Sequence, residues 1–314
     1  MQNKQSIDII VPSFNEEGSI EALFLEVKKH MKDERFRIIF VDDGSKDGTR
    51  DILKRLAKKD DRVKYISFSR NFGHQSALRA GLAYANTADA VISMDADLQH
   101  PPSLLPTLIK EWRKGFHIVY TRRDDTSAEQ ISLFKKQSSA SFYKLMNKVS
   151  ELDLDPGAAD FRLLDKKVVS VINQFPEPDL FLRGLINWVG FKSIAIDYVP
   201  AKRFAGTSKY SLNKMINFAI NGITQFSVKP LRMTIVLGVI MAAFAALYTL
   251  YAVLEYFLIG NNVSGWTSLI IVVMMTSGIQ LILLGVVGEY VGKTFIQTKG
   301  RPDYIVEETN LIDS

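Results

Sequence analysis

The chain has 314 residues, with 39 Lys and Arg against 34 Asp and Glu, a net charge of +5 that allows anionic partners: nucleotide, phospholipid headgroup or nucleic acid. It has no cysteine, which excludes disulfides and thiolate metal sites. Although 23% of its residues are charged, mean hydropathy is +0.04, so the apolar residues must be concentrated somewhere, and they are, in the last third.

The first residues carry no signal-peptide pattern and lead straight into a strand. Ile7 to Val11 is an apolar run stopped by Pro12. Asn15, Glu16 and Glu17 make a polar turn, and Ser19 is placed to cap a helix running to about Met31. Phe36 to Val41 predicts a second strand, ending in the acidic, glycine-containing turn Asp42 to Thr49. The next helix runs from near Thr49 to before Arg62. Val63 to Ser67 is a third strand, and the polar loop Ser69 to Gln75 opens a helix through about Ala85. Ala90 to Met94 is a fourth strand, and Ile118 to Thr121 a fifth that ends on Arg122 and Arg123.

Strand and helix alternating at this spacing predict an α/β fold, a mainly parallel sheet with helices on both faces. Ligands of such sheets bind beyond the carboxyl ends of the strands. Every polar turn above lies at one of those ends, and that convergence argues for a site.

The turn after the fourth strand reads Ser93 to Pro102, SMDADLQHPP. Asp95 and Asp97, one residue apart at a strand end, can turn both carboxylates toward one point. Hard oxygen donors on a short turn suit Mg²⁺ or Mn²⁺, completed by water and substrate phosphates. Gln99 and His100 are close enough to join or orient that shell. Pro101 and Pro102 suit the first turn of a following helix. Neither His74 nor His100 has a partner at zinc-site spacing.

VPSFNEE (11–17), VDDGSKDGT (41–49) and MDADLQHPP (94–102), in that order, resemble the family 2 glycosyltransferases with the GT-A fold, a Rossmann-like catalytic domain. SFSRNFGHQSAL (67–78), GAADFRLLD (157–165) and RFAGTSKYS (203–211) extend the resemblance over nearly the whole chain. Together they look like the polyprenyl-phosphate branch, which includes dolichol-phosphate mannose synthase and bacterial undecaprenyl-phosphate glucosyltransferases. The resemblance implies that Pro12, Phe14, Glu16 and Asp43 hold the base and ribose of a nucleotide sugar, with Arg70, Gln75 and Asp95 beside them. It implies a metal on Asp95, Asp97 and Gln99, and it makes Asp97 and Asp160 the catalytic carboxylates, with Arg162 near phosphate. For Asp43 the plainer alternative is helix capping and turn formation, and for Asp160 a helix cap.

Asp155 to Asp165 has too many small and special residues for a plain helix. Asp160 there is either a base or an orienting group. An acceptor lipid phosphate, with a second pKa of about 6, is already a nucleophile at neutral pH, which favours orientation.

Residues 130–149 place Ile131, Phe134, Phe142, Leu145, Met146 and Val149 at helical spacing among lysines. Such a helix lies either at a membrane surface or against the sheet. Arg203, Ser208 and Lys209 suit a phosphate, and residues 210–230 form a second plausible interfacial helix. Arg122, with Arg123 beside it, is a further candidate for the diphosphate.

Residues 233–259 and 266–291 each carry a single charge, Glu255 and Glu289, near the end, and each exceeds the about 20 apolar residues that span hydrocarbon. A polar hairpin, GNNVSG, joins them. Lys229 and Arg232 precede the pair, while Lys293, Lys299 and Arg301 follow it. The positive-inside rule therefore puts the catalytic domain (1–209), the tail (292–314) and both termini in the cytoplasm, with residues 233–291 as a transmembrane pair in the plasma membrane.

The expected activity is inverting transfer of a sugar, glucose from UDP-glucose first, to undecaprenyl phosphate, with the family suggesting a homo-oligomer. UDP-N-acetylglucosamine or GDP-mannose are the alternative donors. A processive polysaccharide synthase would need more spans and a Gln-x-x-Arg-Trp motif that LINWVG (185–190) lacks. A non-catalytic nucleotide-sugar scaffold would not need Asp95, Asp97 and Asp160. Nucleic acid is disfavoured as a partner, because the basic residues cluster at membrane-proximal segments.

Overall fold

The computed structural model describes residues 5–123, 155, 157–177, 181–199, 224, 227–259 and 265–311. Strands β1 (Ser6–Ser13), β2 (Arg35–Asp42) and β3 (Val63–Phe68) are parallel neighbours, joined through helices α1 (Ile20–His30) and α2 (Thr49–Lys59). Helix α3 (His74–Tyr84) leads to β4 (Ala90–Ser93), parallel to β1 on its other side. A 3-10 turn, Pro102–Leu104, opens α4 (Leu105–Arg113), and β5 (Ile118–Arg123) follows. These elements stand where the hydrophobic runs predict them. Two details differ: β1 continues through Pro12 to Ser13, and Ser19 makes no capping bond because its hydroxyl donates to Glu16 Oε2 at 2.6 Å.

Residues of GAADFRLLD form a strand, β6 (Ala158–Asp165), inserted antiparallel between β4 and β5. Its special residues lie at the strand's start, while Phe161, Leu163 and Leu164 are buried. Asp165 then caps α5 (Lys166–Ile172), accepting the Lys167 N–H at 2.9 Å. Helix α6 (Leu182–Trp188) and β7 (Ser193–Tyr198), parallel to β5, extend the other edge.

Two apolar helices follow, α7 (Lys229–Ile259) and α8 (Trp266–Thr298). Each contains a 27-residue span of mean hydropathy 2.2 and 1.7 respectively, long and apolar enough to cross a membrane. Neither is buried against the rest of the chain, so their apolar side chains need another medium to cover them. The Tyr290 hydroxyl of α8 donates to the Ser227 carbonyl at 2.7 Å, tying the end of the pair to its beginning.

Within residues 292–314, expected as a cytoplasmic tail, the chain supplies a strand to the sheet. Strand β8 (Val306–Thr309) pairs antiparallel with β3 and completes the order β7-β5-β6-β4-β1-β2-β3-β8. It covers what would otherwise be an open strand edge.

The strand residues alternate between two cores, as a period of two requires. Ile7, Ile9, Val11, Ile38 and Phe40 face α1, α2 and α4, whereas Ile10, Ile39 and Val41 face α3, α5 and α6. Being covered on both faces is why these strands read as continuous apolar runs. Gly81 of α3 lies so close to β1 that a Cβ there would meet Ile10 Cγ2 at 2.3 Å.

Candidate active site

Because β6 is antiparallel, its first residues arrive at the edge where the parallel strands end. Ser93 pairs with Arg162 in register, and Ser93 Oγ donates to the Asp160 carbonyl at 2.6 Å. Asp160 is thereby set beside the turn that follows β4.

That turn is tight. Leu98 has φ +62°, a left-handed conformation uncommon for a side chain of its size. The Gln99 N–H donates to Asp97 Oδ1 at 3.1 Å. The Asp95 N–H donates to Nδ1 of buried His100 at 3.0 Å, and His100 Nε2 lies 3.6 Å from Asp95 Oδ2. His100 stacks on Phe161 of β6, ring centroids 5.1 Å apart, so it orients the acidic turn from the core side. Asp95 remains 39% exposed. Among the described residues no group of three or more His, Asp or Glu gathers to hold a cation unaided. Two carboxylates on one turn fit Mg²⁺ or Mn²⁺ whose remaining ligands are water and substrate phosphate.

Two arginines hold Asp160. Arg162 reaches Oδ1 at 3.0 Å, and Arg183 of α6 reaches Oδ2 at 3.1 Å and Oδ1 at 3.4 Å in a fork. His74 Nε2 lies 3.8 Å from Asp160 Oδ2 and also 3.8 Å from Asp95 Oδ1. Burial opposes the charge on Asp160, but Arg183 and Arg162 outweigh it and hold the carboxyl well below the usual range. Burial pushes the Arg162 guanidinium down to about 10, against support from Asp160, so it stays charged at neutral pH.

On the other side, the turns after β2 and β3 interlock. Asp43 accepts the Phe72 N–H at 2.6 Å and the Gly73 N–H at 2.9 Å. Burial raises its pKa, and those two N–H groups counter the rise. Gly44, at φ +70°, packs so closely that a Cβ would lie 2.4 Å from the Arg70 carbonyl carbon. Asp42 is fully buried and accepts Arg50 Nε at 3.2 Å and the Ser45 N–H at 3.0 Å. Phe14, 43% exposed, flanks the same edge just beyond buried Pro12. The Glu16 N–H donates to Thr49 Oγ1 at 2.8 Å. The Arg70 guanidinium lies over the Phe72 ring at 4.0 Å. Gln75 Oε1 accepts the Leu182 N–H at 3.3 Å, which holds α6 against α3.

Pro12, Phe14, Glu16, Asp43, Arg70, Asp95, Asp97, Gln99, Asp160 and Arg162 therefore share one edge of the sheet. Arg122, at the end of β5 and paired with Ala158 of β6, is bonded to Asp197 at 2.6 and 3.1 Å and lies 3.5 Å from Asp155. Arg203, Ser208, Lys209, the helix expected over 130–149 and most of 210–230 lie outside the described residues. Arg183 is absent from the sequence reading. Its signal was an arginine inside an apolar helical run, Phe181 to Ile186, where a cation needs a partner. His74 carries no local signal beyond its lack of zinc-site spacing, because its place between two carboxylates depends on the fold.

Residues 8–172 match the family model described as Glycosyl transferase family 2. The chain belongs to glycosyltransferase family 2. Residues 229–294 of this glycosyltransferase match a second model, GtrB C-terminal hairpin, which covers α7 and most of α8. "Uncharacterized glycosyltransferase YkcC" of Bacillus subtilis is 41% identical over 98% of this chain and 94% of its own length. "Prophage bactoprenol glucosyl transferase homolog" of Escherichia coli is 41% identical over 96% of this chain and 98% of its own. Among solved structures, glucosyl-3-phosphoglycerate synthase from Mycobacterium tuberculosis, in complex with Mn²⁺, UDP-glucose and phosphoglyceric acid, is 18% identical, with a TM-score of 0.45 over 70% of this chain and 78% of that one.

Proposed function

We propose that this glycosyltransferase moves glucose from UDP-glucose to a polyprenyl phosphate at the cytoplasmic membrane face, inverting the anomeric centre. The observation that carries the reading is His74, 3.8 Å from both Asp95 and Asp160. One imidazole links an acidic turn suited to a diphosphate-bound cation with a carboxylate held by two arginines. The bactoprenol named for the Escherichia coli relative, a polyprenol, supports the acceptor class.

Each group has a distinct part. Asp95 and Asp97, with Gln99, would hold Mg²⁺ or Mn²⁺. A bound divalent cation neutralises charge on the leaving UDP. The interlocked loops around Asp43 and Phe72 receive the nucleoside, beside Phe14 and Glu16. Asp160 stays ionised between Arg162 and Arg183, so it is a weak proton acceptor and a strong positioning group. The acceptor needs no base, because a phosphate monoester with a second pKa of about 6 is largely dianionic at neutral pH.

The two apolar helices and β8 support the proposed membrane arrangement. A chain that leaves the catalytic domain, makes two crossings and returns as a strand of the same sheet has both ends on one side. Lys229, Arg232, Lys293, Lys299 and Arg301 flank the pair on that side, which supports the cytoplasm.

The test is a panel of radiolabelled UDP-glucose, UDP-N-acetylglucosamine, UDP-galactose and GDP-mannose, each with undecaprenyl phosphate and Mn²⁺. Label entering the organic phase from UDP-glucose supports the whole reading. Label from another donor alone corrects the sugar, and none from any donor with folded protein removes the reaction.

A further inference from the structure

Beside Asp160 lies a cavity whose polar walls are Tyr120, Asp155, Arg162, Arg183, Asn187 and Ser193. We propose that Arg183, together with Arg162, binds the phosphate of the acceptor in this cavity and presents it for attack. The inference rests on the glycosyl-transfer reading and adds where the acceptor's head is held. Arg183 lies between the two matched family segments, 8–172 and 229–294.

The walls favour a phosphate monoester. Arg162 is 4% exposed, bonds Asp160 through its guanidinium and lines the cavity. Arg183 likewise belongs to both groups, with its fork on Asp160 and its stem on α6. Two guanidiniums lining one cavity supply the cations that charge-assisted bonds to phosphate oxygens require. The carboxylate in the wall, Asp155, is already engaged. It accepts the Tyr120 hydroxyl at 3.3 Å and the Gly157 N–H at 3.1 Å, and Arg122 is 3.5 Å away.

The order of groups fits the reaction. Asp95, His74, Asp160 and Arg183 form a row, each within 3.8 Å of the next. Asp95, Asp97 and His74 do not line the cavity. Inversion requires the nucleophile on the face of the sugar opposite the leaving group, and the row separates the two by the Asp160 carboxylate. An acceptor phosphate oxygen forms the new bond to the anomeric carbon as that carbon's bond to the β-phosphate oxygen breaks. The electron pair leaves on UDP, and a dianionic acceptor has no proton to lose.

The experiment uses the full chain in detergent with Arg183→Gln and Arg183→Lys. In steady-state transfer, Arg183→Gln should raise KM for undecaprenyl phosphate at least tenfold while KM for UDP-glucose stays within twofold. Arg183→Lys, which keeps the charge but not the fork, should recover part of the loss. Inorganic phosphate should compete with the lipid in the wild type and more weakly in Arg183→Gln. Equal inhibition of both by inorganic phosphate would overturn the assignment, as would a fall in kcat with acceptor KM unchanged. Calorimetric titration of undecaprenyl phosphate without donor gives an answer independent of turnover. Lost binding in Arg183→Gln supports the proposal, and retained binding sinks it. If the wild type binds the lipid phosphate but transfers no sugar, the transfer reading fails while the phosphate site stands.

Discussion

The ring of Tyr304 stacks on that of Phe68, centroids 5.0 Å apart and planes 13° from parallel. Tyr304 belongs to the segment after the apolar helix pair, and Phe68 ends β3 just before the loop that Asp43 holds. Phe68 also meets Phe72 edge-on at 5.8 Å, and the Ser69 N–H donates to the Ile305 carbonyl at 3.1 Å. Asp303 pairs with Arg79 of α3. The segment following the apolar pair is thus a brace behind the interlocked loops of Asp43 and Phe72.

Tyr304→Ala should therefore lower stability by about 1–3 kcal/mol, the usual cost of a lost aromatic contact and a part-filled site. It should also raise KM for the nucleotide sugar, with acceptor KM little changed. Tyr304→Phe keeps the ring and should behave as wild type. Thermal unfolding in detergent and donor titrations check both.

Arg50 joins the same brace to buried Asp42, with Nε 3.2 Å from Asp42, one terminal nitrogen 3.0 Å from the Phe68 carbonyl and the other 2.9 Å from Glu307. Arg50→Met leaves Asp42 charged and buried, and should cost about 3–5 kcal/mol. Glu307→Gln removes only the half-exposed end of the network, 52% exposed, and should cost less than about 1 kcal/mol. Urea unfolding of the two variants separates them.

Asp97→Ala should reduce transfer by at least about a hundredfold, the order expected when charge stabilisation of the leaving group is lost. The melting temperature should stay near wild type, because the turn keeps its anchor on the core, the Asp95 N–H on buried His100. Retained activity in the label-transfer assay would remove the metal site from this turn.

Gly44→Ala puts a Cβ into the Arg70 backbone at a left-handed position, φ +70°. A cost of about 1–3 kcal/mol is expected, with a weakened donor site, since the two interlocked loops must separate. Nucleotide binding by the purified variant reads the second effect directly.

The pH profile distinguishes positioning from base catalysis at Asp160. Its pKa is depressed in the folded protein, so it contributes stability above its unfolded value of about 4 and loses it as pH falls through the folded value. No activity limb between pH 5 and 8 should then belong to Asp160. An acid limb near about pH 6 is expected instead from the second ionisation of the acceptor phosphate. A limb in kcat that Asp160→Asn abolishes would restore the base.

Local pattern alone was enough for much of this protein. Ile7 to Val11, Phe36 to Val41 and Ala90 to Met94 declare buried strands because burial on both faces demands continuous apolar residues. The two apolar helices declare themselves because hydrocarbon tolerates few charges over about 20 residues. Asp95-x-Asp97 at a strand end was legible too, since both the spacing and the chemistry are local. Tertiary structure decided the rest. β6 pairs antiparallel between β4 and β5, and only that pairing brings Asp160 to His74 and Asp95, 86 and 65 residues earlier. Arg183 enters the site through the packing of α6. β8 becomes a strand by closing an edge that lies more than 230 residues away in the chain. Such contacts depend on which backbone groups and charges are left to be satisfied after the sheet assembles, and no window of sequence contains both partners.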